Sequence, residues 1–260
     1  MNYRRDTMKA LITGASSGIG RDMARYLSQK GWDLILVARR EDRLRELSPD
    51  LGNVNVSFIA LDVGKEENCR RIYEMTKDEN IDMLINNAGF GLAGEFADSD
   101  LDTELNMIDV NVRAVHILTK LYLRDFIKRD SGIILNVASS AGFMPGPLLS
   151  TYYATKNYVL RLTEAVYEEL RRKGSKVSVS VLCPGPVNTE FNRVANVKFA
   201  VNGISSEMCA KAAVDGALKG KLIIIPGAMI KTGLFFRRFL PEKLMLKIAY
   251  GFQRRKNERK

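Results

Sequence analysis

A tyrosine four residues ahead of a lysine on a helix puts a phenol and an ammonium on one face, a turn apart. Such a pair can move a proton near neutral pH, because a neighbouring positive charge favours the phenolate over a phenol whose ordinary pKa is about 10. The chain holds three of these pairs, Tyr26/Lys30, Tyr73/Lys77 and Tyr152/Lys156. The first two fall well inside predicted helices, where a solvated amphipathic face accounts for them. Tyr152 instead follows a predicted strand, Ile133 to Val137, and the loop Ala138 to Pro147, and it lies thirteen residues after Ser139. A serine hydroxyl there can hydrogen-bond a substrate oxygen and hold it beside the phenol. Ser140 is the alternative, since a shift of one residue in the loop exchanges the two. His116 is the single histidine, so a Ser-His-Asp triad or a zinc site is hard to assemble and no metal site is expected. On the turn after Asn111 it is expected to pack or to face solvent.

A second set of residues suits an anion. Thr13-Gly14-Ala15-Ser16-Ser17-Gly18-Ile19-Gly20 joins a predicted strand to a predicted helix. Glycines there permit a tight turn and let backbone N–H groups approach a pyrophosphate at the positive end of the helix. The spacing is GxxxGxG rather than GxGxxG and lacks the GK[ST] ending of a P-loop, which disfavours an ATPase. The second predicted strand ends in Ala38-Arg39-Arg40. An acid at that tip would bind the adenosine ribose and repel a 2′-phosphate, so arginine favours NADP(H) over NAD; two solvated loop arginines are the plain alternative. Asp33 precedes this strand and belongs to the opposite sheet edge. Asp62 and Val63, after the third strand, are placed to meet an adenine edge, with a helix N-cap as the other role for Asp62.

These groups meet only if strands and helices alternate. Short β-branched runs at Lys9–Thr13, 34–38, 54–61, Met83–Asn86, Ile133–Val137, 177–183 and 222–225 are separated mostly by segments of helical period. Seven such strands predict a single-domain, Rossmann-like α/β fold, a doubly wound parallel sheet with helices on both faces. Right-handed crossovers then gather every strand-to-helix loop at one edge, where ligands bind. At 260 residues, 46% apolar and 27% charged, the chain can bury one large core and is neither disordered nor a coiled coil as a whole. No apolar run approaches the ~18 residues of a membrane span, and Met1 to Lys9 is too polar for a signal peptide. Cys69, Cys183 and Cys209 are too scattered for a disulfide framework, so a reducing, cytoplasmic setting is expected.

Jointly, the motifs resemble the short-chain dehydrogenase/reductase family over nearly the whole chain. Thr13 to Gly20 looks like that family's TGxxxGxG, Asn86-Asn87-Ala88-Gly89 matches its NNAG, and Ser139, Tyr152 and Lys156 match its catalytic set. The resemblance implies a fourth catalytic residue, Asn111, in a proton relay to Lys156, and a sheet order of 3-2-1-4-5-6-7. It implies cofactor contacts from Gly14, Ser16, Ser17, Gly18, Ile19, Gly20, Asn87, Ala88, Gly89, Tyr152 and Lys156. It also implies that Pro184-Gly185-Pro186-Val187-Asn188-Thr189 holds the nicotinamide carboxamide through Val187 and a phosphate or amide through Thr189. The activity implied is reversible hydride transfer between NADP(H) and a carbonyl or secondary alcohol, by a homodimer or homotetramer packed through the helices that contain Asn111 and Tyr152. Many NADP-preferring members carry a basic residue in the glycine loop where this chain has Ser17, so Arg39 and Arg40 carry that preference. A cofactor-binding sensor without turnover is the alternative, one that has no need of Tyr152 and Ser139.

The net charge of +10 is local: residues 231–260 hold ten Lys or Arg against two Glu, and the other 230 residues hold 30 basic and 28 acidic side chains. That balance gives no reason to expect a nucleic-acid surface. Residues 1–227 are read as the catalytic domain and 228–260 as a basic amphipathic extension, with Leu244, Met245, Ile248, Ala249 and Phe252 on one helix face. The extension suits an anionic membrane surface, a lipophilic substrate, or docking on its own domain or on a second subunit. A substrate loop is expected at about 190–215. Its Phe191, Val194, Val197, Phe199 and Val201 suit a lid or a packed insertion equally. Phe143 and Met144 suit the pocket or the core.

Overall fold

The computed structural model describes residues 7–191, 195, 203–237 and 239–257. Strands β1 (Lys9–Thr13), β2 (Asp33–Ala38), β3 (Val56–Ala60), β4 (Met83–Asn86), β5 (Ile133–Val137) and β6 (Ser178–Leu182) come first. Between and after them run helices α1 (Gly18–Gln29), α2 (Glu41–Arg45), α3 (Glu66–Thr76), α4 (Leu101–Ile108), α5 (Val115–Lys128) and α6 (Ser150–Arg172). The chain continues through β7 (Val187–Asn188), β8 (Ile204–Ser205), α7 (Ser206–Leu218), β9 (Ile223–Ile224), α8 (Ala228–Arg237) and α9 (Glu242–Asn257). One seven-stranded sheet has the order β3-β2-β1-β4-β5-β6-β9, parallel throughout. β9 is the seventh strand of that sheet, so the expected topology holds. β7 and β8 form a separate parallel pair that strand periodicity did not announce. Among the described residues no helix is long and apolar enough to cross a membrane.

The central strands are buried at almost every position, and mostly apolar, because both faces are covered. Ile12, Leu36, Ile85 and Leu135 pack on one face with Met23 and Leu27 of α1 and Ala213 of α7. Leu11, Val37, Leu84 and Ile134 pack on the other with Ile72 of α3 and Leu118 and Phe126 of α5. α7 corrects the expected substrate loop: residues 206–215 are helical, capped by Ser205, with Cys209, Ala210, Ala213 and Val214 fully buried. Their small side chains let this helix lie close against the sheet. Val194, Val197, Phe199 and Val201 lie outside the described residues.

The two other Tyr/Lys pairs are not solvated faces either. Tyr26 donates to Asp215 of α7 at 2.8 Å, and Tyr73 donates to Asp125 of α5 at 2.6 Å, so both phenols tie helix seams. The carboxylate beside Tyr73 pushes its pKa up to about 12. The predicted long helix through 101–126 is interrupted by a π-helical turn at Asp109–Ala114, an irregularity that concentrates at functional sites and here contains Asn111. The predicted apolar face of α9 is divided: Met245 and Gln253 are buried against the domain, whereas Leu244, Ile248 and Phe252 are exposed.

A buried amide network fixes β4 and β5 against α5 and α6. Asn86 Nδ2 donates to Asn136 Oδ1 at 2.8 Å, Asn136 Nδ2 donates to Thr163 Oγ1 at 3.0 Å, and Thr119 Oγ1 donates to Asn136 Oδ1 at 3.3 Å. Thr163 lies two turns beyond Lys156 on α6, so the network sets how far that helix projects past the sheet edge. Asn136→Ala strands several buried polar atoms and is expected to lower unfolding free energy by about 2 to 3 kcal/mol in urea titration. A loss below about 0.5 kcal/mol would mean that the network does not hold the register.

Candidate active site

The loops at the C-terminal ends of β1 to β6 enclose a cavity of about 520 Å³. Its walls include Gly14, Ser16, Ser17, Gly18 and Ile19 from the glycine loop, Arg39 and Arg40, Asp62 and Val63, and Asn87 to Gly89. Ser139, Tyr152, Lys156, Pro184, Gly185, Val187 and Thr189 reach it as well, as do the alternative Ser140, Pro186 and Phe191. Gly20 and Asn111 do not line the cavity and sit behind its wall. His116 lies elsewhere, exposed, with Nδ1 2.7 Å from Tyr158 Oη. Asp33 is at the opposite sheet edge, where Oδ1 accepts from Asn55 N at 2.8 Å. Phe143 packs against the cluster of Val159, Leu160 and Val181, and neither it nor Met144 lines the cavity.

At one end the chain is shaped for an anion. Gly14 has φ +65°, and a Cβ there would fall 2.8 Å from Ala88 Cα, so the loop and the NNAG strand end meet backbone to backbone. Thr13 makes that contact specific: its Oγ1 accepts from Asn87 N at 3.0 Å and Ala88 N at 3.1 Å. Asn87 Nδ2 returns hydrogen bonds to Thr13 O and Gly14 O at 3.0 and 3.1 Å. α1 then begins with no side-chain cap from Ser17 and no acid in its first turn, leaving its N–H groups for an anionic ligand. Arg39 and Arg40 are exposed on the cavity wall. Asp62 Oδ1 accepts from Gly64 N at 2.9 Å, so it shapes a turn as well as lining the cavity, while the cap of α3 is Lys65. These features fit the pyrophosphate and adenosine of a nicotinamide dinucleotide.

At the other end β5 and the start of α6 bring Ser139, Tyr152 and Lys156 together. Ser139 begins a short 3-10 turn, its Oγ accepting from Ala141 N at 3.1 Å and facing the Tyr152 phenol, whose pKa it lowers. Ser140 is held through its backbone, N donating to Pro184 O at 2.8 Å. Lys156 is 4% exposed and donates to Val137 O at 3.0 Å, with Nζ 5.8 Å from the centre of the Tyr152 ring. The expected acidification of the phenol is not what the protein alone produces. Burial pushes Tyr152 up to about 12, the Ser139 hydrogen bond opposing it, and burial pushes Lys156 down to about 8. Desolvation penalises both charged forms, and the ammonium spends its hydrogen bond on a carbonyl rather than on the phenolate.

Asn111 acts through the backbone. Its Oδ1 accepts from Phe90 N at 3.1 Å, and its Nδ2 donates to Phe90 O at 2.9 Å and Thr155 Oγ1 at 3.1 Å. Gly89 lies between the two polar ends: a Cβ there would be 2.9 Å from Asn111 Oδ1 and 3.2 Å from Lys156 Nζ. Beyond Tyr152 the cavity is lined by Leu149, Tyr153, Phe191 and Gln253, with the Tyr152 ring 5.5 Å from Phe191 and 6.1 Å from Tyr153. An Arg43 to Glu190 ion pair of 3.0 Å joins α2 to the segment after β7. Sequence reasoning missed Thr13, Thr155, Tyr153 and Gln253 as site residues. Thr13 and Tyr153 adjoin motif residues, but nothing in the sequence links Gln253 to a tyrosine 100 positions earlier.

The profile of the short chain dehydrogenase family matches residues 8–200, and the chain belongs to that family of oxidoreductases. It is 33% identical over 256 residues to an 11-beta-hydroxysteroid dehydrogenase of Pinus massoniana, covering 90% of this chain and 71% of that protein. A short-chain dehydrogenase from Sphingobium yanoikuyae, solved in complex with NADPH, superposes with a TM-score of 0.81 at 29% identity, over 92% of this chain and 95% of that one. A Burkholderia phymatum short chain dehydrogenase/reductase solved with NAD has a TM-score of 0.82 at 24% identity, covering 90% and 93%, and shares the fold.

The depressed Lys156 has a measurable consequence. Between its folded value of about 8 and the ordinary 10.5, the unfolded chain holds a proton that the folded chain has released, so stability from this group rises with pH. Relative to Lys156→Met, the wild-type unfolding free energy should rise by about 2 kcal/mol from pH 7.5 to 10 in urea titrations. A flat difference would place the ammonium in water.

Proposed function

We propose that this chain is an NADP(H)-dependent oxidoreductase that interconverts a lipophilic carbonyl compound and its secondary alcohol. The observation that carries the proposal is one cavity with an uncapped, glycine-lined helix start at one end and the half-buried Ser139 and Tyr152 over the buried Lys156 at the other. Bound nicotinamide would supply or accept the hydride. Tyr152 gives its proton to the carbonyl oxygen in reduction and takes it back in oxidation, while Ser139 hydrogen-bonds the same oxygen and orients it. Lys156 holds positive charge beneath the phenol and reaches toward the cofactor ribose. Asn111 fastens the Gly89–Phe90 backbone to α6 and so keeps the path toward Lys156 in shape. Val187 and Thr189 are assigned to the carboxamide end, and Asp62, Val63 and Asn87 to Gly89 to the adenosine half.

Two exposed arginines at the strand tip support NADP(H), since guanidinium binds a 2′-phosphate with paired hydrogen bonds. The NADPH-bound relative points the same way. The aromatic and aliphatic wall beyond Tyr152 supports a lipophilic substrate, as does the steroid named for the pine relative. A homodimer or homotetramer through α5 and α6, at work in the cytoplasm, completes the proposal.

The extension is assigned a second surface. Phe236, Phe239, Leu244, Ile248 and Phe252 are all exposed, Phe239 by 70%, and Lys243 and Lys247 each adjoin a residue of that stripe. With a net +8 in residues 231–260, two copies of this face repel, whereas an anionic bilayer attracts it.

Tyr152→Phe is expected to cut NADPH-dependent ketone turnover by at least about a hundredfold while NADPH still binds. Wild-type rates in that variant would remove the proposed acid. Arg39→Ala should weaken NADPH on the order of tenfold and leave NADH unaffected, by fluorescence titration. Equal effects on both would count against a 2′-phosphate contact. Vesicles of phosphatidylcholine with about a third phosphatidylglycerol should float the full chain but not Phe236→Ser/Phe239→Ser, and pure phosphatidylcholine should float neither. Equal flotation of variant and wild type would sink the membrane surface, and a concentration-dependent dimer lost in the variant would assign that face to a second copy.

A further inference from the structure

We infer that Tyr153 and Gln253 form a polar subsite that binds a second hydroxyl group of the substrate, beside the reacting carbonyl. This rests on the oxidoreductase reading of the same cavity. Gln253 is 4% exposed on the stripe of α9 that faces the domain, and glutamine is seldom buried unless its amide is paired. Its Nε2 donates to Tyr153 Oη at 2.5 Å. Its Oε1 is buried and has no hydrogen-bond partner among the described residues. Both residues line the cavity. The chain thus folds back from its far end to bring half of an amide to the substrate space, and a buried carbonyl oxygen left unpaired there is costly.

The chemistry of the pair defines the ligand group. Tyr153 accepts from Gln253, so its own O–H proton remains to donate, and Gln253 Oε1 remains to accept. One donor beside one acceptor matches an alcohol, which does both. Exchanging the amide nitrogen and oxygen preserves this match: Tyr153 then donates to the glutamine, leaving an N–H donor and the phenol lone pairs. Around the pair the wall is apolar, with Leu149 and Phe191 in one cluster with both tyrosines, so a single polar contact there discriminates between substrates. The Tyr152 and Tyr153 ring centres are 6.1 Å apart, so both phenols border the same end of the cavity. The arrangement is held in place: on α8, Ile230 fills the space that a side chain at Gly185 would take, fastening the extension to the loop after β6.

The test compares acetophenone with its three ring-hydroxylated isomers, which carry the hydroxyl at increasing distance from the carbonyl. Binding to the NADPH-loaded protein is measured by calorimetry, and kcat/KM is measured in parallel. At least one isomer should bind on the order of tenfold tighter than acetophenone. Gln253→Leu should abolish that advantage, so that acetophenone and the favoured isomer bind alike, and Tyr153→Phe should reduce it should the leucine variant fail to fold. No preferred isomer, a preference that survives both variants, or no binding of any of the ketones overturns the subsite. Selective binding without turnover of any ketone would leave the subsite standing and remove the oxidoreductase reading; turnover without selectivity would do the reverse.

Discussion

The buried ammonium of Lys156 is the constraint around which this molecule is arranged. Taking a charge out of water costs several kcal/mol unless it is bonded. The bond on offer is the carbonyl of Val137, the last residue of β5. A helix and a strand end must therefore be held at hydrogen-bonding distance, and the Asn86, Asn136, Thr119 and Thr163 network below does this from inside the fold. The remaining penalty shows in the downward displacement of Lys156 toward neutrality. Tyr152, half-buried on the same face, is displaced upward. Each group is thereby poised to change its protonation when a charged or polar ligand enters, since desolvation is the dominant cause for both.

The second half of the cavity is built from backbone. Thr13, Gly14, Asn87 and Ala88 exchange four hydrogen bonds that join the ends of β1 and β4, and only a residue without Cβ fits at position 14. This junction leaves the first turn of α1 uncapped and directed at the cavity. The π-helical turn between α4 and α5 serves the same end, carrying Asn111 to where it grips both carbonyl and amide of Phe90. Polar side chains in this protein chiefly position backbone, and backbone forms the ligand cradle.

The C-terminal extension divides its labour by helix face. On α9, Met245 and Gln253 turn inward, while Leu244, Ile248 and Phe252 look outward next to lysines. One helix thus lines the Tyr152 end of the cavity through Gln253 and displays a basic, apolar surface.

Much of the architecture was legible along the chain. Strands buried on both faces read as unbroken β-branched runs, so β1, β4 and β5 fall where periodicity put them, and the glycine loop and the Tyr152/Lys156 spacing are local facts that survive folding unchanged. What depends on distant residues was not legible. Residues 206–215 look like loop by sequence and are core because α1 and the sheet cover them. Tyr26 and Tyr73 look solvated and are tied by carboxylates on other helices. The direction in which Tyr152 and Lys156 titrate was decided by burial, which no spacing encodes, and Gln253 entered the site only because α9 folds back across the end of α6. Local pattern determined which elements form and which motifs they carry; long-range packing decided solvation, and solvation sets what those groups can do.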